Sequence, residues 1–119
     1  MEDNMALFDM TVPGPGQYTW PIAVICGSMR YYNTMLAYAA ALTTAGWIVL
    51  MPFLTGVTDD TKRMLDEMHR EKIRMAQRVF VVGGHVGEST ASEINFAKEL
   101  NRSIYYLPSV YVPDPESLI

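Results

Sequence analysis

Residues 83–93 read GGHVGESTASE, glycines followed by small hydroxyl side chains and then a carboxylate. Glycine lets backbone N–H groups come close to a ligand, and hydroxyls at a helix start add donors where the first N–H groups have no partner. On this reading Gly84 and Gly87 shape a loop, and Ser89 and Thr90 hold an anion or a sugar. Glu93 conflicts with that role, because a carboxylate repels an anion. Two explanations are open. The run Thr90-Ala-Ser-Glu93 matches a capping box, in which the hydroxyl and the carboxylate satisfy orphan N–H groups and nothing is catalysed. Alternatively, the carboxylate is aimed at a molecule bound on the loop.

A second stretch with chemical content is GSMRYY, residues 27–32. Gly27 permits a tight turn, Ser28 and Arg30 are donors, and Tyr31 and Tyr32 offer flat surfaces for stacking. The plainer reading of Arg30 is a surface ion pair, worth ~0–1 kcal/mol. His69 and His85 are far apart in sequence and no third ligand is evident, so neither a metal nor another cofactor is expected. Met64, Met68 and Met75 read as core or subunit contact, since methionine fills irregular apolar gaps.

These residues need a scaffold, and the hydrophobic pattern supplies one. Residues 1–20 have no clear period and contain PGPG, an irregular arm. Residues 21–26 form a continuous apolar run ended by Gly27, the mark of a strand covered on both faces. Asn33 or Thr34 can cap a helix in which Met35, Leu36, Ala39, Ala40, Leu42 and Thr43 keep helical spacing until Gly46. A second strand at 47–51 closes at Pro52, and Asp59 or Asp60 can cap a long helix over 61–77 with Leu65, Met68, Ile73 and Ala76 on one face. A third strand at 79–82, a helix over 90–100, a fourth strand at 103–107 and a tail over 109–119 complete the chain. Strands alternating with helices imply parallel pairing and right-handed crossovers. The expected fold is one α/β domain over 21–108, a three-layer sandwich with a small doubly wound sheet of about four to five strands, flavodoxin- or Rossmann-like, in the order 2-1-3-4. In that order the loops after strands 1 and 3 diverge at a switch point and leave a crevice, and these are the two loops already singled out.

Composition narrows the function classes. The chain has 119 residues, 50% of them hydrophobic, which suits one domain with a real core. A net charge of -4 without a basic run argues against polymeric nucleic acid as a partner. Cys26 stands alone, so no disulfide framework is expected, in keeping with a reducing cytoplasm. No apolar stretch approaches the roughly 18 residues of a membrane span, and the acidic start MEDNMALFD is unlike a signal peptide. The expectation is a soluble, unprocessed cytoplasmic protein.

One ligand class accounts for several features together. A nucleoside or nucleotide needs donors for its sugar or phosphate, here Ser28, Arg30, Ser89 and Thr90, and an aromatic surface for its base, here Tyr31 and Tyr32. It needs a carboxylate beneath the sugar only if the glycosidic bond is to break, as in retaining glycoside hydrolysis, and Glu93 fills that place. Donors and acid then serve different ends of one molecule.

The chain also resembles a known group. ICGSMR resembles the CGSIRG-type loop of 2'-deoxynucleoside 5'-monophosphate N-glycosidases, and GESTASEINFA resembles the segment carrying their glutamate nucleophile; nucleoside 2-deoxyribosyltransferases are related. The resemblance spans about residues 22–107 and implies that Glu93 forms a glycosyl-enzyme intermediate. It further implies that Gly27, Ser28 and Arg30 hold sugar and phosphate, that Ser89 and Thr90 help to cradle them, and that His69 matches a histidine of the group. A homodimer or higher homo-oligomer is implied as well. Two positions depart from the pattern: Lys72 stands where the group commonly has an aspartate, and Gly87 where it has Asp or Ser. Glu88, on the adjacent loop, is either a replacement for that acid or, the more ordinary reading of a loop glutamate, a solvent-exposed residue. The alternative function is a module of the same fold that binds or sequesters a nucleotide-derived ligand without cleaving it.

Overall fold

The computed structural model of the chain describes residues 18–53 and 58–113. Most of the irregular arm, part of the polar connection after Pro52 and the end of the tail lie outside the described residues. Four strands, β1 (Ile22–Gly27), β2 (Ile48–Leu50), β3 (Arg78–Val82) and β4 (Ser103–Leu107), form an all-parallel sheet in the order β2-β1-β3-β4. Three helices, α1 (Tyr32–Thr44), α2 (Asp59–Met75) and α3 (Glu88–Glu99), connect them. The topology is flavodoxin-like, as the alternation of apolar runs and helical periods implies.

The apolar runs are continuous because both faces of the sheet are covered. Ile22, Val24 and Cys26 of β1 pack with Val79, Val81, Ile73 of α2 and Ile94 and Ala97 of α3. Ala23 and Ile25 point the other way, with Phe80, Val82, Leu107 and the α1 residues Met35, Tyr38 and Leu42. One layer is thus α1 and the other is α2 with α3. Each fully buried Ile, Leu or Phe contributes about 1.5–3 kcal/mol from water exclusion, and the two clusters fix which helix lies on which face.

The helix starts differ from the sequence expectation, each for a local reason. α1 begins at Tyr32 rather than after Asn33 or Thr34, because a 3-10 turn over Met29–Tyr31 feeds directly into it. Ser28 caps that turn, accepting from the Arg30 N–H at 3.4 Å, while Thr34 donates to the Ser109 carbonyl at 2.9 Å. The buried α1 stripe is Met35, Tyr38 and Leu42; Leu36 is exposed. Thr58, not Asp59 or Asp60, caps α2 by accepting from the Thr61 N–H at 3.3 Å. The two aspartates occupy the first turn, where negative charge suits the helix dipole.

α3 carries the correction with most consequence. It starts at Glu88, two residues before Thr90, with Gly87 at its N-cap and no side-chain cap. Thr90 therefore lies inside the first turn and Glu93 a turn further on, so the capping-box explanation of these residues fails.

Arg102 locks α2 to α3. Its guanidinium donates to the carbonyls of Arg74 at 2.8 Å, Leu100 at 3.1 Å and Ile73 at 3.4 Å, binding both helix C-termini from one point. Gln77 adds a second tie, with its N–H donating to the Ile22 carbonyl and its side-chain oxygen accepting from the Ile22 N–H at 2.7 Å. The Arg102 contacts set the relation between α2 and α3, and the Gln77 contacts tie the end of α2 to β1.

Candidate functional site

A cavity of about 650 Å³ opens beyond the C-terminal ends of the strands, between α2 and α3. Its first wall is the loop after β1, with Gly27, Ser28 and Met29. The second is the start of α3, with Gly87, Glu88, Ser89, Thr90 and Glu93. The two loops that the 2-1-3-4 order brings together thus meet at one cavity, whose size is in the range of small-molecule sites.

The third wall is not evident from the loops. α2 contributes Lys62, Leu65, Asp66, Met68, His69 and Lys72, and the segment after β2 contributes Pro52 and Phe53. The signal for it was present, since residues 62, 65, 66, 69 and 72 recur at helical spacing. Four polar groups, Lys62, Asp66, His69 and Lys72, interrupt what otherwise reads as the apolar stripe of an amphipathic helix.

Eight of the twelve candidate residues line the cavity: Gly27, Ser28, His69, Gly87, Glu88, Ser89, Thr90 and Glu93. Arg30, Tyr31, Tyr32 and Gly84 do not. Arg30 is exposed, and the cations that line the cavity are Lys62 and Lys72 instead. Tyr31 and Tyr32 pack against the α1-side core, on the other face of the sheet, so the stacking role expected of them is not supported. The Tyr31 ring lies across Gly83: a Cβ added there would sit 2.2 Å from it, and the glycine has φ +94°. Gly84 is exposed, with open space beside it. The aromatic ring at the cavity is Phe53, with the Lys72 ammonium 5.2 Å from its centroid.

At and just beneath the floor, three side chains from three elements converge: His69 and Glu93 line the cavity, and Cys26 is buried behind them. The Cys26 Sγ of β1 lies 3.3 Å from the His69 Nε2 of α2, which lies 3.9 Å from the Glu93 Oε1 of α3. Cys26 is fully buried, and the His69 and Glu93 side chains are only 4% and 15% exposed. Burial pushes the Glu93 carboxyl up from 4.5 to about 7, and the charge of Asp66 adds to the rise. The Cys26 thiol, Lys62 and Arg70 pull the other way. Burial pushes His69 down from 6.5 to about 4, and Lys72 repels its charged form, with Asp66 opposing. The Cys26 thiol is raised well above its ordinary value, by burial and then by the neighbouring carboxylate. At neutral pH the floor is a thiol, a neutral imidazole and a carboxyl group poised between its two forms. The His69 Nδ1 has no hydrogen-bond partner.

The rim is polar and more exposed. Lys62 donates to Asp66 at 3.0 Å and to the Ser89 hydroxyl at 3.2 Å, joining α2 to the start of α3. With no side chain capping α3, its first N–H groups remain available beside this ammonium, an arrangement suited to an anion. Lys72 donates to the Met51 carbonyl at 2.8 Å, and burial lowers its pKa. A cation at the rim and a desolvated carboxyl at the floor resolve the conflict posed by GGHVGESTASE: the donors and Glu93 occupy different depths of one cavity. A desolvated carboxyl group at the base of such a cavity is chemically able to act as acid, base or nucleophile. The chain matches no family model, and no curated protein matches it. No helix among the described residues is long and apolar enough to cross a membrane.

Proposed function

We propose that this protein is an N-glycosidase or deoxyribosyltransferase-like enzyme acting on a small nucleoside or nucleoside 5'-monophosphate, with Glu93 as the nucleophile. The observation that carries the reading is a buried carboxyl group, free of the capping role, at the floor of a cavity whose rim offers an uncapped helix N-terminus and Lys62. Ser28, Ser89, Thr90 and Lys62 hold sugar and phosphate, while Phe53 and Met68 give the base an apolar surface. A Glu93 carboxylate oxygen forms a bond to C1' as the C1'–N bond breaks, and the electron pair of that bond leaves with the base. The departing nitrogen takes its proton from water admitted by the cavity. Water, or a second base, then attacks C1' and frees the carboxylate, with retention at the sugar.

A homodimer in the cytoplasm belongs to the same reading, and the exposed apolar side chains at the cavity, Phe53 and Met68, support a covering partner. The test is release of free base from a panel of deoxynucleosides, ribonucleosides and their 5'-monophosphates, followed by chromatography. Glu93→Gln is expected to lower the rate by at least about a thousandfold, as loss of a nucleophile does. Full activity in that variant would refute the assignment. A second reading, a binding module without turnover, is favoured by one feature: Lys72 lines the cavity where the resemblance leads one to expect an acid. Under it, a nucleotide raises the melting temperature yet is recovered intact.

A further inference from the structure

We propose that Cys26, His69 and Glu93 form a binding site for a thiophilic divalent cation such as Zn²⁺, with the fourth coordination position open to the cavity. The sequence reading finds no third ligand for either histidine. The fold supplies two for His69 by bringing together residues 43 and 24 positions away from it. The Cys26 sulfur, a His69 ring nitrogen and a Glu93 oxygen all lie within 4.8 Å of one another. Zinc–ligand bonds of about 2.0–2.3 Å at tetrahedral angles place donor atoms roughly 3.3–3.8 Å apart. The Sγ–Nε2 separation of 3.3 Å and the Nε2–Oε1 separation of 3.9 Å are already close to that. The three donors stand on β1, α2 and α3, whose mutual positions Arg102 and Gln77 fix, so little ordering is needed on binding.

The donor set also selects the ion. One sulfur, one imidazole nitrogen and one carboxylate oxygen suit Zn²⁺, Co²⁺ or Cu²⁺, whereas Mg²⁺ and Ca²⁺ need a shell of oxygens that this floor does not offer. On binding, the thiol gives its proton to solvent as the sulfur–metal bond forms. Glu93 gives up any proton it carries, the neutral imidazole uses the Nε2 lone pair, and a water completes the shell. His69 must then carry its proton on Nδ1, which has no partner. Without that outer hydrogen bond the imidazole is a weaker ligand, which makes the site reversible rather than structural. If the reaction proposed above is correct, the ion and the substrate compete for one carboxylate, and Zn²⁺ inhibits until a chelator removes it. The site itself does not depend on that reaction.

Chelator-stripped protein titrated with Co²⁺ under anaerobic conditions tests the proposal without any activity assay. A thiolate-to-cobalt charge-transfer band saturating at a single equivalent, and lost when Zn²⁺ displaces the cobalt, is expected. Cys26→Ser should abolish the band. Glu93→Gln, a substitution at the cavity floor that keeps the side-chain shape, should weaken binding at least about tenfold, no less than removal of an outer-shell partner does. Circular dichroism of each variant separates lost ligation from lost folding. Absence of the band in folded wild-type protein, its survival in Cys26→Ser, or unchanged affinity in Glu93→Gln would each overturn the proposal. A positive band without base release would retain the metal site while rejecting the glycosidase.

Discussion

Substituting Glu93 and His69 separately should uncover two opposed slopes of stability against pH that the native protein holds nearly level. Both groups are buried beside the Cys26 thiol of β1 and feel Asp66 of α2, with Lys62 and Arg70 acting on Glu93 and Lys72 on His69. Glu93 titrates at about 7 in the fold against an ordinary 4.5. Between those values the folded state keeps a proton that the unfolded chain has released, so stability falls as pH rises through the window. His69 titrates at about 4 against an ordinary 6.5. There the unfolded chain binds a proton that the fold excludes, so stability falls as pH drops through the window. At about 1.4 kcal/mol per pH unit, each window amounts to about 3 kcal/mol. Side-chain exposures of 15% and 4% leave little of this to solvent screening. From 4.5 to 6.5 the two slopes cancel.

Urea unfolding in the presence of a chelator, from about pH 4 to about pH 8, gives the free energies for wild type, Glu93→Gln and His69→Gln. Subtracting the Glu93→Gln profile from the wild-type profile cancels the other titrating groups. That difference should fall by about 3 kcal/mol across the Glu93 window. The corresponding difference for His69→Gln should rise by about 3 kcal/mol across the His69 window. Difference profiles flat to within about 1 kcal/mol would show that neither group is desolvated as the geometry requires.

Two further substitutions test the scaffold. Gly83→Ala places a methyl group against the Tyr31 ring at φ +94°, and the backbone conformation alone should cost about 1–3 kcal/mol in urea unfolding. Adding Tyr31→Ala should recover only the steric part, so that full recovery in the double variant would refute the backbone contribution. Tyr38→Phe removes a buried hydroxyl whose proton is shared between the Pro108 and Val110 carbonyls and which accepts from the Val112 N–H. A loss of about 1–3 kcal/mol is expected, with faster amide exchange at Val112; unchanged exchange there would mean that the hydroxyl does not hold the segment after β4.

The layered α/β architecture was legible because period is a local property: runs covered on both faces, such as residues 22–26, can be read without knowing what covers them. The convergence of the loops after β1 and β3 followed from the commonest strand order, which the sheet has. Helix starts were less legible. A cap depends on where the preceding turn releases the chain, and the same letters Thr90-Ala-Ser-Glu93 suit either a cap or an interior turn. The placing of Tyr31 and Tyr32 against the α1-side core was not legible for a similar reason, since aromatic residues beside a loop give no sign of which face of the sheet they will join.

By itself, then, the sequence determined the order and type of the elements, the two chemically equipped loops and the prominence of Glu93. Tertiary structure alone decided that α2 forms the third wall, that Lys62 rather than Arg30 stands at the rim, and that the buried Cys26 meets His69 and Glu93 beneath the floor. The physical reason is that hydrophobic periodicity is written in neighbours three or four residues apart. The depth at which a carboxyl, a thiol and an imidazole lose their water depends on how separate elements pack.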